Sequence, residues 1–514
     1  KCILNYFAIE RNPVSFDDLQ LIIHKNFSSS SLATKLLLKY PINCRGWHRI
    51  QFSKGRINLT LAYGEVNEPL ESLNQQNTKF DAIYLDGFAP NKNPEMWSQQ
   101  VFDRLIKSSH RDTTFATFSS SKLVKENIIK SGFSVNLSKG FGNKKNMLSG
   151  KNQSSSLKKN IIKSKRIGII GAGLSGCSLA KILSLRGHEI TIFDKKAKNL
   201  TNNYENPMFI LYPRLSAFNN PYAKFSLQSY LYSSKFYAQL DSKSWNQTGV
   251  LLINFDEQTN KRQESLLSTR TDKILFQKLS RERASEVTGV NLKYGGLFFP
   301  HAGWINPQAV CKEMLDSPNI SFKKEDILEI RKNDKKFLVN SSKESYLFER
   351  LCLCTSYDTF KLTDIRGVNK KRGQITLIKK NVNLKNLKIP ICGQGYVSPK
   401  ISGLHVVGST YSDENSNKIL VKDHSENITK LNRIIEGNYL IKDGWVGIRA
   451  TTPDRLPLSG SKEKFFVNTG HGSRGTSSAP FCSQYIADLI DNLPLHIESE
   501  IINALSPTRF NKPS

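Results

Sequence analysis

The sequence predicts an α/β protein made of two consecutive modules, each built on strands that alternate with helices. Three observations lead to this prediction. The chain has 514 residues, which exceeds the size of one ordinary hydrophobic core. Apolar runs of strand length alternate with segments of helical periodicity over the first 150 residues. A glycine motif of the form GxGxxG then joins a strand to a helix, shortly after a polar stretch.

The polar stretch between the modules reads SGKNQSSSLKKNIIKSKR and covers residues 149–166. It is basic, rich in serine and has little to bury, a composition typical of a linker. The sequence therefore predicts a first domain over residues 1–150, a linker over 151–165 and a second domain over 166–514.

The first module is predicted to form a doubly wound sheet. Its predicted strands are ILNYFAIE, RINLTLAYGE, FDAIYLDGF and TTFATFSSS, with FSVNLSKG and NMLSG as an antiparallel edge. Its predicted helices are DDLQLIIHKNF, PEMWSQQVFDRLIKSS and SKLVKENIIKSG. Glu10, Glu65 and Asp86 each follow a strand, and such sheets bind ligands at the carboxyl ends of their strands. Pro90 and Pro94 stiffen the loop after Asp86, which indicates a carboxylate held in place for chemistry.

The second module begins with the strongest motif of the chain, KRIGIIGAGLSGCSLAKILSLRGHEITIFDKK. Gly171 allows a tight turn, Gly173 lets a pyrophosphate approach the backbone, and Gly176 lets the helix touch the strand. Asp194 ends the next strand, where it is expected to accept hydrogen bonds from a ribose. This pattern predicts a dinucleotide site and leaves NAD and FAD both open. A second glycine-rich strand–loop–helix, FFVNTGHGSRGTSSAPFCSQYIADLI, favours a flavin.

Charge and cysteine usage narrow the class of protein. The formal net charge is +30, which attracts polyanions such as nucleic acid, although a nucleotide bias toward Lys, Asn and Ile codons explains the same excess. The eight cysteines form no CxxC pair, so Cys352 and Cys354 are expected to be buried small residues rather than metal ligands. Scattered thiols indicate a reducing cytoplasm. No apolar run is long enough to span a bilayer.

The whole chain resembles the family of bifunctional enzymes that make 5-methylaminomethyl-2-thiouridine at the wobble position of tRNA. Its second module resembles the glycine oxidase and D-amino-acid oxidase group. The motifs that carry the resemblance are LDGFAPNKNPEMW, KGFGNKKNML, IGIIGAGLSG, NPMFILYPRLS, FFPHAGWINP, RGQ, GYVSP, VGIRATTPDRLP and GHGSRGTSSAP.

The resemblance implies a partial class I (Rossmann-like) methyltransferase domain, followed by an FAD-binding Rossmann-type domain with an α+β substrate-binding domain. It implies FAD-dependent removal of the carboxymethyl group from 5-carboxymethylaminomethyl-(2-thio)uridine. Methylation of the freed amine by S-adenosylmethionine is expected to follow. The implied partner is tRNA in the cytoplasm, with neither a membrane nor an obligate protein partner.

In the methyltransferase half, the resemblance assigns catalysis to Asp86, cofactor ribose contact to Glu10 and adenine contact to Glu65. Solvated charges at strand ends are the alternative for the two glutamates. Phe88 and Trp97 are expected either to stack on the uracil or to pack. The first strand and its glycine-rich turn are expected to be missing, so this half is expected not to methylate tRNA and to depend on packing against the other half.

In the oxidoreductase half, the resemblance assigns recognition of the substrate carboxylate to Arg449 and a substrate-facing position to Tyr396. A surface ion pair and a half-buried core ring are the respective alternatives. His471 is not expected to act as a base. Further cofactor contacts are expected from the RGQ and GHGSRG motifs, at Arg372, Gly373, Gln374, Gly472, Arg474 and Gly475. Glu205 and Phe209 stand where the family usually carries glycines, and Phe209 is expected to obstruct the flavin or shift the backbone.

Two other functions remain open at this point. One is an FAD-dependent oxidase of a free small amine or amino acid, with a relic methyltransferase module in front. The other is a decayed, basic tRNA-binding protein without activity. A yellow protein with a bleachable flavin spectrum would argue against the second.

Overall fold

The computed structural model describes residues 3–140, 142, 145–153, 163–195, 206–240, 244–269, 273–333, 335–414, 416–463 and 465–511. Glu205 and most of the predicted linker lie outside these residues. The described residues form a first module up to Asn152 and a second module from Arg166 onward. Both modules are α/β, as the sequence predicts.

The first module contains two sheets and five helices. Its strands are β1 (Leu4–Glu10), β2 (Gly46–Phe52), β3 (Ile57–Tyr63), β4 (Phe80–Leu85), β5 (Ser109–Thr117), β6 (Phe133–Lys139) and β7 (Asn146–Asn152). Its helices are α1 (Phe16–Phe27), α2 (Ser31–Lys39), α3 (Asn67–Gln75), α4 (Gln99–Lys107) and α5 (Lys122–Lys130). The strand orders are β1–β3–β2 and β4–β5–β7–β6.

The strands of the predicted doubly wound module are divided between two sheets among the described residues, with β1 and β4 both at edges. The two sheets share one hydrophobic cluster, in which the rings of Phe7 on β1 and Phe80 on β4 have centroids 6.2 Å apart. An edge strand keeps one side open, so the run FDAIYL is not buried throughout and Tyr84 is 71% exposed.

The predicted and observed elements of the first module also differ in three missed elements and in two boundaries. The sequence prediction missed α2, β2 and α3, whose apolar residues are too mixed with polar ones to show a clear period. Pro94 opens a short 3-10 turn, Pro94–Trp97, and the α-helix begins only after Ser98. Strand β7 continues to Asn152, two residues beyond the predicted boundary, because its polar residues pair with β5 and β6 on both sides.

The described residues of the second module form four sheets. Its strands are β8 (Arg166–Ile170), β9 (Glu189–Phe193), β10 (Phe209–Leu211), β11 (Trp245–Asn246), β12 (Val250–Ile253), β13 (Gln277–Leu279), β14 (Gly296–Phe299), β15 (Gly303–Ile305), β16 (Ile320–Lys323), β17 (Ile327–Asn333), β18 (Lys336–Ser341), β19 (Ser345–Phe348), β20 (Arg350–Leu353), β21 (Asn369–Lys379), β22 (Ile391–Cys392), β23 (Tyr396–Val397), β24 (Leu404–Gly408), β25 (Ile441–Thr451), β26 (Leu458–Lys462) and β27 (Phe465–Thr469). Its helices are α6 (Leu174–Leu185), α7 (Pro221–Tyr237), α8 (Glu257–Thr269), α9 (Arg281–Thr288), α10 (Pro307–Leu315), α11 (Thr359–Leu362), α12 (Val421–Ile434), α13 (Gly475–Asp491) and α14 (Ser499–Leu505).

Two of these sheets position the functional residues. A six-stranded sheet of order β16–β9–β8–β20–β27–β26 carries both glycine-rich loops. An eight-stranded sheet of order β13–β14–β12–β22–β23–β24–β21–β25 carries Arg449 on its last strand. Cys352 and Cys354 lie at the end of β20 and are both buried, as predicted. Among the described residues, no helix has the length and apolar content needed to cross a membrane.

The two modules meet along a buried polar seam between β2 and the end of α13. Arg49 of β2 donates to the carbonyl of Pro494 at 2.7 Å and lies 3.6 Å from the carboxylate of Asp488. Asp488 also pairs with Arg186, and Asp491 pairs with Arg186 at 3.1 Å. Nearby, Ser72 of α3 and Ser499 of α14 exchange hydrogen bonds. Buried ionic contacts lock geometry, so this seam fixes one module against the other.

A buried histidine on β2 leads to a prediction about the stability of the protein at acid pH. His48 on β2 is buried and its Nε2 donates to the carbonyl of Cys44 at 2.8 Å. Burial lowers the pKa of His48 from 6.5 to about 4. A depressed pKa means that the stabilisation is present above pH 6.5 and is lost as the pH falls through about 4. We expect His48 to account for a loss of about 3 kcal/mol in the free energy of unfolding across this window.

Urea unfolding at a series of pH values measures this loss. The variant His48→Gln keeps an amide donor for Cys44 but does not titrate, so its free energy of unfolding should fall less steeply between pH 6.5 and 4. Other buried histidines contribute equally to both proteins, which makes the difference between the two curves the relevant quantity. Parallel curves would contradict the assignment.

Candidate active sites

The turn between β8 and α6 has the geometry that its glycines predict. Gly171 has a φ of +101°, and a Cβ there would lie 2.4 Å from the carbonyl oxygen of Cys354. A Cβ on Gly176 would lie 1.9 Å from the carbonyl oxygen of Gly171, so helix and turn touch through glycine alone. Gly173 caps the helix, and Asp194 accepts a hydrogen bond from the Ala172 amide at 2.9 Å. The turn therefore presents the N-terminus of α6 to an anionic group.

A second glycine-rich loop follows β27 in the same sheet. Gly470 and Gly472 have φ values of +74° and +56°, and α13 begins at Gly475. Arg474 stacks over Tyr212 with its guanidinium carbon 4.4 Å from the ring centroid. Ser175 of α6 donates to the carbonyl of Asn468 at 2.8 Å, which joins this loop to the first glycine turn.

His471 lies within this second loop and is neutral. Burial lowers the pKa of His471 to about 4, and its Nδ1 is 2.8 Å from the hydroxyl of Ser478. Its buried Nε2 contacts no hydrogen-bonding partner among the described residues. A buried polar atom without a protein partner commonly pairs with water or with a ligand.

The RGQ motif lies on β21 and differs from its predicted role. Arg372 is buried and its guanidinium pairs with Asp423. Gln374 exchanges hydrogen bonds with the backbone of Leu420. Both side chains are therefore satisfied inside the protein, facing α12, and are not free for cofactor contact. A Cβ on Gly373 would lie 1.9 Å from Nη1 of Arg449, so this glycine leaves room for Arg449.

Arg449 is half-buried and lacks a carboxylate partner within the described part of the chain. Its guanidinium donates to the hydroxyl of Ser409 at 2.6 Å and, at 3.4 Å, to the carbonyls of Arg372 and Thr410. Burial lowers its pKa, yet a guanidinium stays charged at any physiological pH. A desolvated cation bound only by neutral groups attracts an anionic ligand.

Tyr396 lies beside Arg449, on β23. Burial raises the pKa of Tyr396 to about 12, while a hydrogen bond with Asn206 and the charge of Arg449 act in the opposite direction. The phenol is therefore neutral and available as a hydrogen-bond donor. The structure thus brings together the two residues that the sequence singled out for substrate. Sequence reasoning missed Ser409, because its place here depends on pairing between β21, β23 and β24.

The Gly373–Arg449 contact gives a prediction. Gly373→Ala should push the guanidinium away from its site with little cost to folding, because the atom in the way is the flexible end of a side chain. We expect a higher KM for a carboxylate-bearing substrate and an unchanged flavin content. Steady-state kinetics and the visible spectrum of the same preparation measure both, and an unchanged KM would contradict the prediction.

Phe209 is the first residue of β10, where it pairs with Ile305 of β15. Its side chain is partly buried against the main core of the second module. The residue that replaces the usual glycine therefore has a place in the packed interior. Glu205, the other replacement, lies outside the described residues.

The candidate methyltransferase residues lie at strand ends of the two sheets in the first module. Glu10 ends β1, and Glu65 follows β3, its parallel neighbour. Glu10 accepts from the amide of Asn12 at 2.8 Å, and Glu65 pairs with Arg11 at 2.9 Å. Both carboxylates lie at the carboxyl ends of paired strands, which fits the ribose and adenine of a nucleoside cofactor.

Asp86 follows β4 of the other sheet. It lies in a loop that is held by contacts with the Pro94–Trp97 turn. Trp97 is buried and its indole donates to the carbonyl of Phe88 at 2.8 Å. A Cβ on Gly87 would lie 2.2 Å from the sulfur of Met96, so the loop is packed against the Pro94–Trp97 turn. Phe88 is largely exposed. Of the two aromatic residues, Trp97 therefore packs, and Phe88 remains open to a ligand.

The residues of the second module fit FAD. The first glycine turn admits no side chain at Gly171 or Gly176. Both glycine-rich loops lead from a strand of the same sheet to the N-terminus of a helix. The orphaned Nε2 of His471 and the charge of Arg474 lie on the second loop. Gly171, Gly173, Gly176 and Asp194 would hold the nucleotide part, and Gly472, Arg474 and Gly475 would lie near the flavin.

Fold and sites together define a methyltransferase-type module fused to a flavin-dependent oxidoreductase. A family model described as S-adenosyl-L-methionine-dependent methyltransferase matches residues 28–153. A family model described as FAD dependent oxidoreductase matches residues 166–489. The cofactors of the two modules are accordingly S-adenosyl-L-methionine and FAD.

The chain belongs to the family of tRNA 5-methylaminomethyl-2-thiouridine biosynthesis bifunctional proteins, MnmC. It is 32% identical to the protein of that name from Legionella pneumophila (strain Lens), over 99% of this chain and 85% of the relative. It is 30% identical to the one from Stutzerimonas stutzeri (strain A1501), over 99% and 84%. These matches confirm the family and the two cofactors that the sequence resemblance implied.

Solved structures show the fold of the second module. Glycine oxidase from Bacillus cereus ATCC 14579 is similar with a TM-score of 0.55 and 20% identity, over 64% of this chain and 98% of that one. Iminodiacetate oxidase from Chelativorans sp. BNC1 is similar with a TM-score of 0.57 and 16% identity, over 66% and 99%.

Proposed function

We propose that this chain removes the carboxymethyl group from 5-carboxymethylaminomethyl-(2-thio)uridine in the anticodon of cytoplasmic tRNA, and that its first module is the part of the family's methyltransferase that would act on the amine that remains. The observation that carries the first step is Arg449, a desolvated guanidinium bound only by neutral groups. The names of the relatives and the net charge of +30 support tRNA as the molecule that carries the substrate.

Arg449 would bind the carboxylate of the substrate through charge-assisted hydrogen bonds. The carbon next to that carboxylate bears the hydrogen to be removed, so holding the carboxylate also fixes this carbon. The neutral phenol of Tyr396 lies beside Arg449 and can donate a hydrogen bond to the bound substrate. Both residues therefore orient the reacting bond rather than exchange protons with it.

FAD, when bound, supplies the acceptor for the hydride of that carbon. Loss of the hydride and of the amine proton leaves a C=N bond in the substrate. Water adds to this carbon, the C–N bond breaks, and the carboxymethyl carbons leave as glyoxylate. The amine stays on the uridine as 5-aminomethyl-(2-thio)uridine. Reaction requires the neutral amine, and the electrons of its lone pair replace those lost with the hydride.

Asp86 would serve the second step. An amine attacks a methyl group only through a free lone pair, and a fixed carboxylate can accept its proton or orient it. Trp97 and Met96 hold the loop of Asp86 in place, while exposed Phe88 can contact the uracil. Glu10 and Glu65 would hold the ribose and adenine of S-adenosylmethionine.

In the described residues, β1 and β4 are not joined by a strand, and no glycine-rich turn lies beside Glu10. Close backbone contacts to the methionine part of the cofactor are therefore missing from this part of the chain. We expect this 514-residue chain, incubated with labelled S-adenosylmethionine and aminomethyluridine tRNA, to transfer no label above a no-enzyme control. Transfer of label would contradict this expectation, and Asp86→Ala would then test the role of the carboxylate.

Mass spectrometry of tRNA nucleosides tests the first step. Flavin-loaded protein is incubated with tRNA that carries 5-carboxymethylaminomethyl-2-thiouridine, and the nucleosides are then separated. We expect loss of this nucleoside and formation of its 5-aminomethyl counterpart, together with glyoxylate. Turnover of free N-methylglycine or glycine with unchanged tRNA would favour an oxidase of small amines. A protein that purifies without flavin and binds tRNA without reaction would favour a decayed binding protein.

A further inference from the structure

Tyr411 is an exposed aromatic residue next to the Arg449 site, and none of the roles given above involves it. It follows β24 by three positions and precedes Ser412, which is bridged to Arg372 of β21. Its side chain is 58% exposed. An aromatic ring that stabilised the core at this place would be buried, as Trp97 is in the first module.

Two cations approach the ring of Tyr411 from the sheet. The guanidinium carbon of Arg449 and the ammonium of Lys371 each lie 5.7 Å from the ring centroid. Lys371 on β21 and Arg449 on β25 are direct partners in the antiparallel register, so their side chains share one face of the sheet. Lys371 is neutralised by Asp413, whereas Arg449 has no ion-pair partner among the described residues.

The length of the substrate side chain relates the Arg449 site to the ring of Tyr411. In a carboxymethylaminomethyl group, four bonds of about 1.5 Å separate the carboxyl carbon from the pyrimidine ring, which gives a reach of about 5 Å when extended. A carboxyl carbon paired with a guanidinium lies about 4 Å from the guanidinium carbon, so the edge of the base lies up to about 9 Å from the guanidinium carbon of Arg449. The exposed ring of Tyr411, with its centroid 5.7 Å from that carbon, lies inside this distance.

We propose that Tyr411 is the stacking platform for the uracil ring, while Arg449 holds the carboxylate of the same nucleotide. Stacking on an aromatic side chain needs a base that is out of the helical stack, as the bases of an anticodon loop can be. The inference depends on the proposed function, because it assigns the nucleobase of the same substrate.

The test compares Tyr411→Ala with Tyr411→Phe, which keeps the ring, and with Tyr294→Ala, which removes an exposed tyrosine elsewhere in the second module. The full-length flavin-loaded chain is used. Binding of a labelled anticodon stem–loop RNA carrying 5-carboxymethylaminomethyl-uridine is followed by fluorescence anisotropy. Binding of N-methylglycine is followed by its perturbation of the flavin spectrum, which reports on the Arg449 site alone.

We expect Tyr411→Ala to weaken binding of the modified RNA by about 5- to 100-fold, with N-methylglycine binding unchanged. Tyr411→Phe and Tyr294→Ala should stay within about twofold of the unsubstituted protein. Equal RNA affinity of Tyr411→Ala, or an equal loss in Tyr411→Phe, would overturn the stacking role while leaving the proposed function intact. An equal loss of N-methylglycine binding would also overturn it, because Tyr411 would then act only through Arg449. Failure of the unsubstituted protein to oxidise the modified RNA would overturn the proposed function and this inference together.

Discussion

Replacing Arg449 by Ala should lower kcat/KM for carboxymethylaminomethyl-uridine tRNA by about 30-fold or more. This factor corresponds to the lower end of the roughly 2–5 kcal/mol that is lost when a buried charge pair loses one partner. In this variant the substrate carboxylate would enter a half-buried site and find only Ser409, Tyr396 and backbone groups. Flavin content should be unchanged, because the guanidinium hydrogen bonds to Ser409 and to two backbone carbonyls.

The matched control for Arg449→Ala is Arg433→Ala. Arg433 is exposed on α12, where it donates to the side chain of Gln394 at 2.5 Å. Both variants remove one positive charge from the second module, so a general electrostatic effect on tRNA binding would lower activity in both. Arg449→Lys keeps the charge without the two-pronged geometry and should recover only part of the activity. Equal kcat/KM for Arg449→Ala and Arg433→Ala would remove Arg449 from the substrate site.

Replacing Gly171 by Ala should yield a protein without FAD. The new Cβ would lie 2.4 Å from the carbonyl oxygen of Cys354, and alanine would also be strained at a φ of +101°. Because the obstructing atom belongs to the backbone, the whole turn has to move, and the N-terminus of α6 moves with it. Flavin content, measured from the visible spectrum after purification, is the direct readout.

The control variant Gly403→Ala separates the effect of a close contact from the effect of backbone strain. Gly403 has a φ of +88°, and a Cβ there would meet no other atom within 4 Å, so alanine brings strain without obstruction. We expect it to lower the free energy of unfolding by about 1–3 kcal/mol and to retain FAD. Circular dichroism shows whether Gly171→Ala still folds. A folded Gly171→Ala protein with a full complement of FAD would contradict the assigned cofactor site.

Local patterns predicted the geometry of the turn between β8 and α6, because its glycines act through contacts between neighbouring elements. Gly171 and Gly176 meet atoms of the strand and turn that the motif itself contains, or that pair with it. The partnership of Gly373 and Arg449 could not be predicted in this way. It depends on the register between β21 and β25, which places residues far apart in the sequence on facing strands.

The strand pairing of the first module could not be predicted from local patterns either. Alternation of strands and helices indicates an α/β module, but it does not show which strands are hydrogen bonded to each other. The separation of β1 from β4 is visible only in the pairing. The sequence places Lys151 in the linker because it lies in a polar, serine-rich stretch, although pairing on both sides holds it in the sheet.

Anaerobic reduction of the flavin by tRNA tests most directly whether this chain oxidises the carboxymethylamine of a wobble uridine. Flavin-loaded protein is mixed without oxygen with tRNA bearing 5-carboxymethylaminomethyl-2-thiouridine, and in parallel with the same tRNA bearing 5-aminomethyl-2-thiouridine. We expect the first tRNA to bleach the flavin and the second to leave it oxidised, since only the first offers a carboxylate to Arg449 and a carbon to oxidise. A flavin that stays oxidised with both tRNAs but is bleached by free N-methylglycine would contradict the proposed function.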